Sequence, residues 1–260
     1  MGSDIPSQER RLFQSVRDYY STPQAVESYT RSARELIFSK PEQAMIAKCM
    51  SPPGTVLDIG CGAGKEAFVL TRMGYTVTGL DIAAALLESG RKVAKELGLH
   101  VEFVQGDGKN LAFQDSSFDY VLLITQMIHH VPLRTNRVHL LRDAGRVVKP
   151  DGRILLTYHD WDILKTHEPW GGGDYKETTE VDWAKLLTIL EPGDGFGCRC
   201  QGVPTSVYGY GHNCTQAEME SEVLEAGLRI VDRADFRTIA GGEPDEFWKP
   251  TRVLVMQRNS

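Results

Sequence analysis

The run Val56-Leu57-Asp58-Ile59-Gly60-Cys61-Gly62-Ala63-Gly64-Lys65 constrains the fold more tightly than any other stretch of the chain. It reads as a buried strand, an acid at its end, three alternating glycines and the first residue of a helix. Glycines there let the backbone turn sharply and bring bare amides against a ligand at the positive end of a helix. The loop is therefore expected to hold something against its main chain.

From Gly54 to His159 short β-rich runs alternate with longer helical patterns, the signature of βαβ units and a parallel sheet. The spacing predicts strands over Thr55–Ile59, Tyr75–Leu80, Val101–Gln105, Phe118–Ile124 and Arg153–Tyr158. It predicts helices over Lys65–Arg72, Ala83–Leu97 and Arg134–Val148. Parallel strands need both faces covered, so the expected fold is an α/β, Rossmann-like three-layer sandwich with ligands beyond the carboxyl ends of the strands.

Two more strands, Leu228–Phe236 and Arg252–Gln257, read as a terminal antiparallel hairpin that completes a mainly parallel seven-stranded sheet. Before them, Thr215-Gln216-Ala217-Glu218 is a capping box opening a helix that Gly227 ends. Between Tyr158 and that helix lie about fifty residues rich in glycine and aromatics, too long for an idle connection and expected to form a lid or substrate-binding insert. Val181–Leu190 has helical spacing within it, with Thr179 as N-cap and Pro192 as stop. The organisation expected is thus an N-terminal helical lid or cap over 1–53, a cofactor-binding core over 54–160, the insert over 161–214, and a closing helix and hairpin over 215–260.

With 260 residues, 41% of them hydrophobic, the chain can bury one sizeable core. A formal net charge of −6 leaves no broad positive field, which disfavours nucleic acid as a partner. No stretch approaches the roughly 18 apolar residues of a membrane span. The first residues lack the apolar core of a secretory signal, and Pro6 stands where a myristoylation motif wants Ser or Thr. A cytoplasmic location without membrane attachment is expected, and self-association as a homodimer is left open. Five cysteines, an odd number, are read as reduced thiols, Cys49 and Cys61 as small buried residues.

A dinucleotide loop would read G-x-G-x-x-G; this one reads G-x-G-x-G, with an acid two residues ahead of it. A pyrophosphate avoids a neighbouring carboxylate, whereas the ammonium of a methionine moiety wants one, so Asp58 suits an amino acid group. Asp81 ends the second strand, 23 residues on, where its two oxygens can accept bonds from ribose hydroxyls. Asp107, in Gly106-Asp107-Gly108 after the third strand, is placed to accept from an adenine amino group. Any one of these alone reads as a helix cap or turn residue; the combination carries the weight.

The segments VLDIGCGAGKEA, TGLDI, QGDGKNLAF, SFDYVLLITQMIHHV and RVVKPDGRILLTYHD together resemble the class I S-adenosylmethionine-dependent methyltransferases, nearest the ubiquinone and menaquinone biosynthesis branch. Asp151 replaces the first glycine of that family's "R-V-L-K-P-G-G" turn. The resemblance covers residues 54–160. It implies S-adenosylmethionine as cofactor, with Gly60 and Gly62 lining the methionine part, Asp81 on the ribose, Ile82 against the adenine, Asp107 reading it and Thr125 beside the sulfonium; Gly64 and Gly108 are also taken as cofactor-binding. The function implied is methyl transfer to an oxygen, nitrogen or carbon nucleophile of a small-molecule acceptor. Two alternatives stay open: a tRNA wobble-uridine carboxymethyl methyltransferase, which the acidic chain weighs against, and a non-catalytic module that binds the cofactor to regulate a partner. An NAD-dependent oxidoreductase is contradicted by the glycine spacing.

Methyl transfer needs alignment and exclusion of water, and a base only when the nucleophile must lose a proton. His129, His130, His159 and Asp160 cluster after the fourth and fifth strands, with His130 and His159 the preferred pair. Each histidine also has a bland reading as a cap or space-filler. Tyr19, Tyr20 and Tyr29, in the helical pattern Gln8–Lys40, either close over the cofactor or pack on the sheet's edge; Tyr20 and Tyr29 are taken as cofactor contacts. The insert's Trp161, Trp170, Trp183, Tyr208 and Tyr210 either wall off an acceptor or form the lid's own core. Cys198, Cys200, His212 and Cys214 offer four zinc ligands, but C-x-C and H-x-C spacings depart from a zinc knuckle, so no metal site is assigned.

Overall fold

The computed structural model describes residues 5–36, 38–164, 188–197, 207, 209–239, 241 and 250–259. Three helices open it, α1 (Ile5–Tyr20), α2 (Pro23–Glu35) and α3 (Lys40–Cys49). The alternating core comes next: β1 (Thr55–Ile59), α4 (Lys65–Arg72), β2 (Thr76–Asp81), α5 (Ala84–Leu97), β3 (Glu102–Gln105), β4 (Phe118–Leu123), a 3₁₀ turn (Met127–His130), α6 (Arg134–Val147) and β5 (Val148–His159). After a short turn of helix, α7 (Trp161–Leu164), come β6 (Asp194–Gly197), β7 (Gly209–His212), α8 (Gln216–Glu225), β8 (Leu228–Asp235), the single turn α9 (Phe236–Ile239) and β9 (Thr251–Arg258).

Seven strands form one sheet in the order β3-β2-β1-β4-β5-β9-β8, in which β9 runs against both neighbours. Side chains alternate across it. Leu57, Ile59, Val121, Leu123, Ile154 and Leu156 face one core with residues of α6 and α8. Val56, Val77, Tyr120, Leu122 and Leu155 face another with Met45, Ile46 and Cys49 of α3 and Ala67 and Leu70 of α4. The sheet is covered on both sides, as a mainly parallel sheet must be. The three-layer sandwich and the terminal hairpin expected from the sequence are present.

Differences from the expected boundaries have local causes. β5 starts at Val148, five residues ahead of Arg153, because the chain pairs with β4 on either side of an irregularity, first Phe118 with Val148 and then Tyr120 with Arg153. Gly152 permits this: a Cβ there would lie 2.6 Å from the Asp119 carbonyl. The capping box of α8 is half formed. Thr215 Oγ1 accepts from the Glu218 amide at 3.2 Å, but the Glu218 carboxylate turns instead to His212 Nε2, also at 3.2 Å. A tertiary partner has displaced the local one. Thr188 and Ile189 lie in a turn, while the rest of the helix expected over Val181–Leu190 up to residue 187 falls outside the described residues, as do Trp170, Trp183, Cys198, Cys200 and Tyr208.

α1 and α2 do not join the sheet's layers. Leu12 and Val16 of α1 pack with Phe196 of β6 and Tyr210 of β7 in a small core of their own, edged by Tyr20, Ile82 and Leu133. α2 lies against α5, with Ala33 buried among Phe68, Leu86 and Phe103. Thr22 joins the two helices as the α2 N-cap, its Oγ1 accepting from the Ala25 amide at 3.3 Å, with Pro23 in the first turn where no amide is missed. The β6–β7 hairpin, a separate two-stranded sheet, packs against α1 and the 3₁₀ turn.

Candidate active site

β1, β2 and β4 end together, and the loops leaving them enclose a cleft of about 1010 Å³, counting its open mouth. The glycine loop is its floor. Gly60, Gly62 and Gly64 all have left-handed backbones, at φ 76°, 55° and 90°. Around Gly60 a Cβ would come 2.8 Å from that of Met127, and around Gly64 it would come 2.9 Å from the Phe103 ring. The first glycine thus admits the neighbouring loop, and the third allows helix and strand to close.

Asp81 ties the loop to β2. One carboxylate oxygen accepts from the Gly62 amide and the other from the Ala83 amide, both at 2.8 Å. Burial raises its pKa, and those backbone bonds oppose the rise. Asp58 lies deeper, 2% exposed, and its Oδ2 has no hydrogen-bond partner among the described residues. Desolvation first, then the nearby Glu66 and Asp81 charges, push its carboxyl well above the ordinary range. An unpaired buried carboxylate oxygen is costly, and a cation is the partner that relieves it.

Lys65 and Glu66 also line the cleft, and the reading from sequence misses both. Lys65 Nζ bridges Glu42 at 3.0 Å and Glu66 at 2.8 Å, and these carboxylates raise its pKa against burial, which by itself lowers it. Glu66 Oε1 also accepts from Thr125 Oγ1 at 2.9 Å. A signal was available: an acid-base pair in the first turn of the helix after a ligand loop sits where it must face the ligand. Glu42 gave none, because its role in the capping box of α3 with Ser39 is visible in sequence while its reach to Lys65 is tertiary.

The exit from β4 is strained. Thr125 and Gln126 both have left-handed backbones, at φ 55° and 57°, an arrangement that non-glycine residues adopt at a cost of about 1–3 kcal/mol each. This double turn starts the 3₁₀ turn that brings Met127 over Gly60 and His130 into the cleft. His130 Nδ1 lies 2.9 Å from the Tyr210 carbonyl, and Nε2 lies 2.8 Å from the Tyr20 hydroxyl. A carbonyl can only accept, so Nδ1 carries a proton, and in the neutral form of the ring Nε2 accepts from Tyr20.

Of the residues singled out from the sequence, Gly60, Gly62, Asp81, Ile82, Asp107, Gly108, Thr125, His130, Tyr20 and Tyr29 all line the cleft. Asp107 is exposed and accepts from the Lys109 amide at 3.0 Å. Asp58 and Gly64 stand behind the wall. Tyr20 meets Tyr29 edge-on at 5.6 Å and His130 at 5.2 Å, whereas Tyr19 is buried against Gly209.

His129 and His159 are not brought to the cleft: both are buried, their rings 6.0 Å apart. His129 Nε2 accepts from the His159 amide at 3.1 Å, and His159 Nδ1 pairs with Thr251 Oγ1 at 3.2 Å. The structure therefore separates the pair His130 and His159, since the ring of residue 159 at the end of β5 points into the contact with β9. Asp160 is buried as well, its Oδ1 accepting from the Asp162 amide at 3.1 Å.

His212 has both ring nitrogens on carboxylates, Nδ1 on Asp194 Oδ1 at 2.8 Å and Nε2 on Glu218 Oε1 at 3.2 Å. Cys214 is buried in the sheet core and belongs to neither group of clustered ligand atoms around His212. Those groups, with Glu191 and Asp194 or with Glu218 and Glu222, already face the Arg137 guanidinium, which bonds Glu222 at 2.6 Å and lies in an ion pair with Glu191 at 3.1 Å.

Residues 56–152 match the model of the methyltransferase domain. Over 210 residues the chain is 31% identical to the cypemycin N-terminal methyltransferase of a Streptomyces species, covering 78% of this chain and 83% of that one. The chain belongs to the S-adenosylmethionine-dependent methyltransferase family. A ubiquinone biosynthesis O-methyltransferase of Klebsiella pneumoniae is 37% identical over 102 residues, a match spanning 39% of this chain and 41% of that enzyme. Among solved structures, a methyltransferase from Methanosarcina mazei superposes with a TM-score of 0.64 at 22% identity, over 82% of this chain and 96% of that one, a likeness of fold.

The site of this methyltransferase fits the family's cofactor. The orphaned Asp58 Oδ2 and the acids around it ask for a cation, as a methionine ammonium supplies. The left-handed Gly62 leaves open the space that a side chain would take up beside Tyr29, 3.4 Å from where its Cβ would lie. No described helix is long and apolar enough to cross a membrane.

Proposed function

We propose that this methyltransferase transfers a methyl group to an oxygen, nitrogen or carbon nucleophile of a small molecule held in the cleft between the glycine loop and α1. The observation that carries this is the cleft's division into two unlike halves. Lys65, Glu66, Asp81 and Asp107 line it from the glycine loop and the strand ends, while α1 and the 3₁₀ turn contribute Phe13, Val16, Met127 and Val131 with the Tyr20–His130 pair. The first half suits S-adenosylmethionine, with Asp58 toward the ammonium, Gly60 and Gly62 along the methionine part, Asp81 on the ribose, and Ile82, Asp107 and Gly108 about the adenine.

Bound there, the cofactor supplies a methyl group on a positively charged sulfur. The chain's own part is to hold the nucleophile in line and keep water out, which the apolar wall and the roof of Tyr20 and Tyr29 support. The relatives methylate different atoms by their names, one an N-terminus and one an oxygen, so the acceptor follows from the cleft and not from them.

Purified protein is incubated with S-adenosylmethionine and a panel of phenols, enols and amines, and S-adenosylhomocysteine and methylated products are read by mass spectrometry. Methylated product from a small acceptor is expected. Calorimetric binding of S-adenosylhomocysteine without turnover of any small acceptor would instead favour a regulatory binder or a macromolecular substrate such as tRNA.

A further inference from the structure

Resting on the methyl-transfer reading above, we infer that Tyr20 and His130 form a proton relay in which the Tyr20 hydroxyl, supplied by the N-terminal helix, touches the acceptor and His130 is the proton sink behind it. The substrate class that fits is an uncharged, largely apolar molecule whose nucleophile is a hydroxyl or a neutral amine.

Three observations meet here. The Tyr210 carbonyl holds a proton of His130 on Nδ1 at 2.9 Å, so in the neutral ring the Nε2 lone pair faces the Tyr20 hydroxyl at 2.8 Å. Tyr20 and His130 both line the cleft, on the same side as Phe13, Val16 and Val131, where an acceptor's body would lie against apolar surface. The carbonyl is itself held from behind. Tyr210 is fully buried, its hydroxyl bonds Asp194 Oδ1 at 2.6 Å, and the same oxygen takes His212 Nδ1 at 2.8 Å.

The step balances. The bond from the acceptor's heteroatom to the methyl carbon forms as the carbon–sulfur bond breaks and its electron pair stays on sulfur. The acceptor's proton passes to Tyr20 Oη while the Tyr20 proton passes to His130 Nε2. The positive charge lost at sulfur reappears on the imidazolium, whose Nδ1 proton the Tyr210 carbonyl already accepts. The net charge of the cleft is unchanged, and the imidazolium that receives it is not isolated, because the Tyr210 carbonyl accepts from its Nδ1.

The relay is read first without an acceptor. Histidine-labelled protein is examined by ¹⁵N NMR, with His130→Gln assigning the resonances. A protonated Nδ1 and a hydrogen-bonded, unprotonated Nε2 are expected, and Tyr20→Phe should move Nε2 downfield while leaving the fold intact. With any acceptor that turns over, Tyr20→Phe should lower kcat by about 10²–10⁴. A His130 protonated on Nε2, or an Nε2 resonance indifferent to Tyr20→Phe, in protein that binds S-adenosylhomocysteine would overturn the relay and leave the methyl-transfer reading standing. Protein that binds no S-adenosylhomocysteine overturns that reading and the relay with it.

Discussion

Burial beside Glu66 and Asp81 raises the Asp58 carboxyl, so its charged form is disfavoured in the ligand-free protein. A group whose pKa is higher folded than unfolded contributes stability below its ordinary range and loses it as pH rises through the folded value. Asp58→Asn should therefore melt higher than the unsubstituted protein near neutral pH, with the gain shrinking as pH falls toward 4. S-adenosylhomocysteine affinity should fall in the same variant, at least tenfold, because the ammonium loses its counter-charge. Thermal scans across pH and titration calorimetry check the two signs, and an affinity unchanged by the substitution would remove Asp58 from the cofactor's contacts. The glycines separate in the same way. Gly64→Ala meets the Phe103 and Phe68 rings at 2.9 and 3.0 Å and should cost about 1–3 kcal/mol of stability. Gly62→Ala, with Tyr29 at 3.4 Å, should cost nearer 1 kcal/mol from its left-handed backbone alone and show its main effect in cofactor affinity.

The N-terminal helices and the β6–β7 hairpin form one element of function although about two thirds of the sequence lies between α1 and β6. α1 supplies Tyr20, β7 supplies the carbonyl that orients His130, and Leu12, Val16, Phe196 and Tyr210 hold the two together. Their shared core is small, so it should open below the threshold of global unfolding. Leu12→Ala, which removes a fully buried side chain, should cost about 2–5 kcal/mol locally. Hydrogen exchange should then quicken at the amides of α1 and β7 while those of β1 and β4 keep their protection. Uniform acceleration across the sheet would mean that the cap and core unfold as one unit.

At the scale of the molecule, one ion cluster fastens the layers on the hairpin's side. Arg137 of α6 is fully buried and bonds Glu222 of α8 through Nε and a terminal nitrogen, and it also reaches Glu191 at the approach to β6. Burial alone would lower the guanidinium pKa, but these carboxylates raise it, so it stays charged. Breaking such a pair from one side strands the other charge. Arg137→Met should cost about 3–5 kcal/mol in denaturant unfolding, and pairing it with Glu222→Leu should recover most of that loss. A double variant as unstable as the single one would show that Arg137 acts through Glu191 and the hairpin instead.

Periodicity and local chemistry made the core legible in the sequence. β1 and α4 begin and end at the expected residues, because alternation of apolar side chains and the glycine loop are short-range signals. The acids at strand ends were legible for the same reason: Asp58 and Asp81 stand at the close of the short β-rich runs that form β1 and β2, and the carboxyl end of a parallel strand is the ligand's side of the sheet. Histidine was not. His129, His130 and His159 are equivalent as sequence, yet one ring lines the cleft and two are buried, a sorting made by the left-handed turn at Thr125 and Gln126 and by the β5–β9 pairing. Likewise Tyr19 and Tyr20 are adjacent on one helix, yet Tyr19 packs as core against Gly209, 190 residues on, while Tyr20 meets His130. Local order comes from neighbours along the chain; the pairing of Tyr20, His130 and Tyr210, separated by 110 and 80 residues, required the folded core to bring them within hydrogen-bond reach.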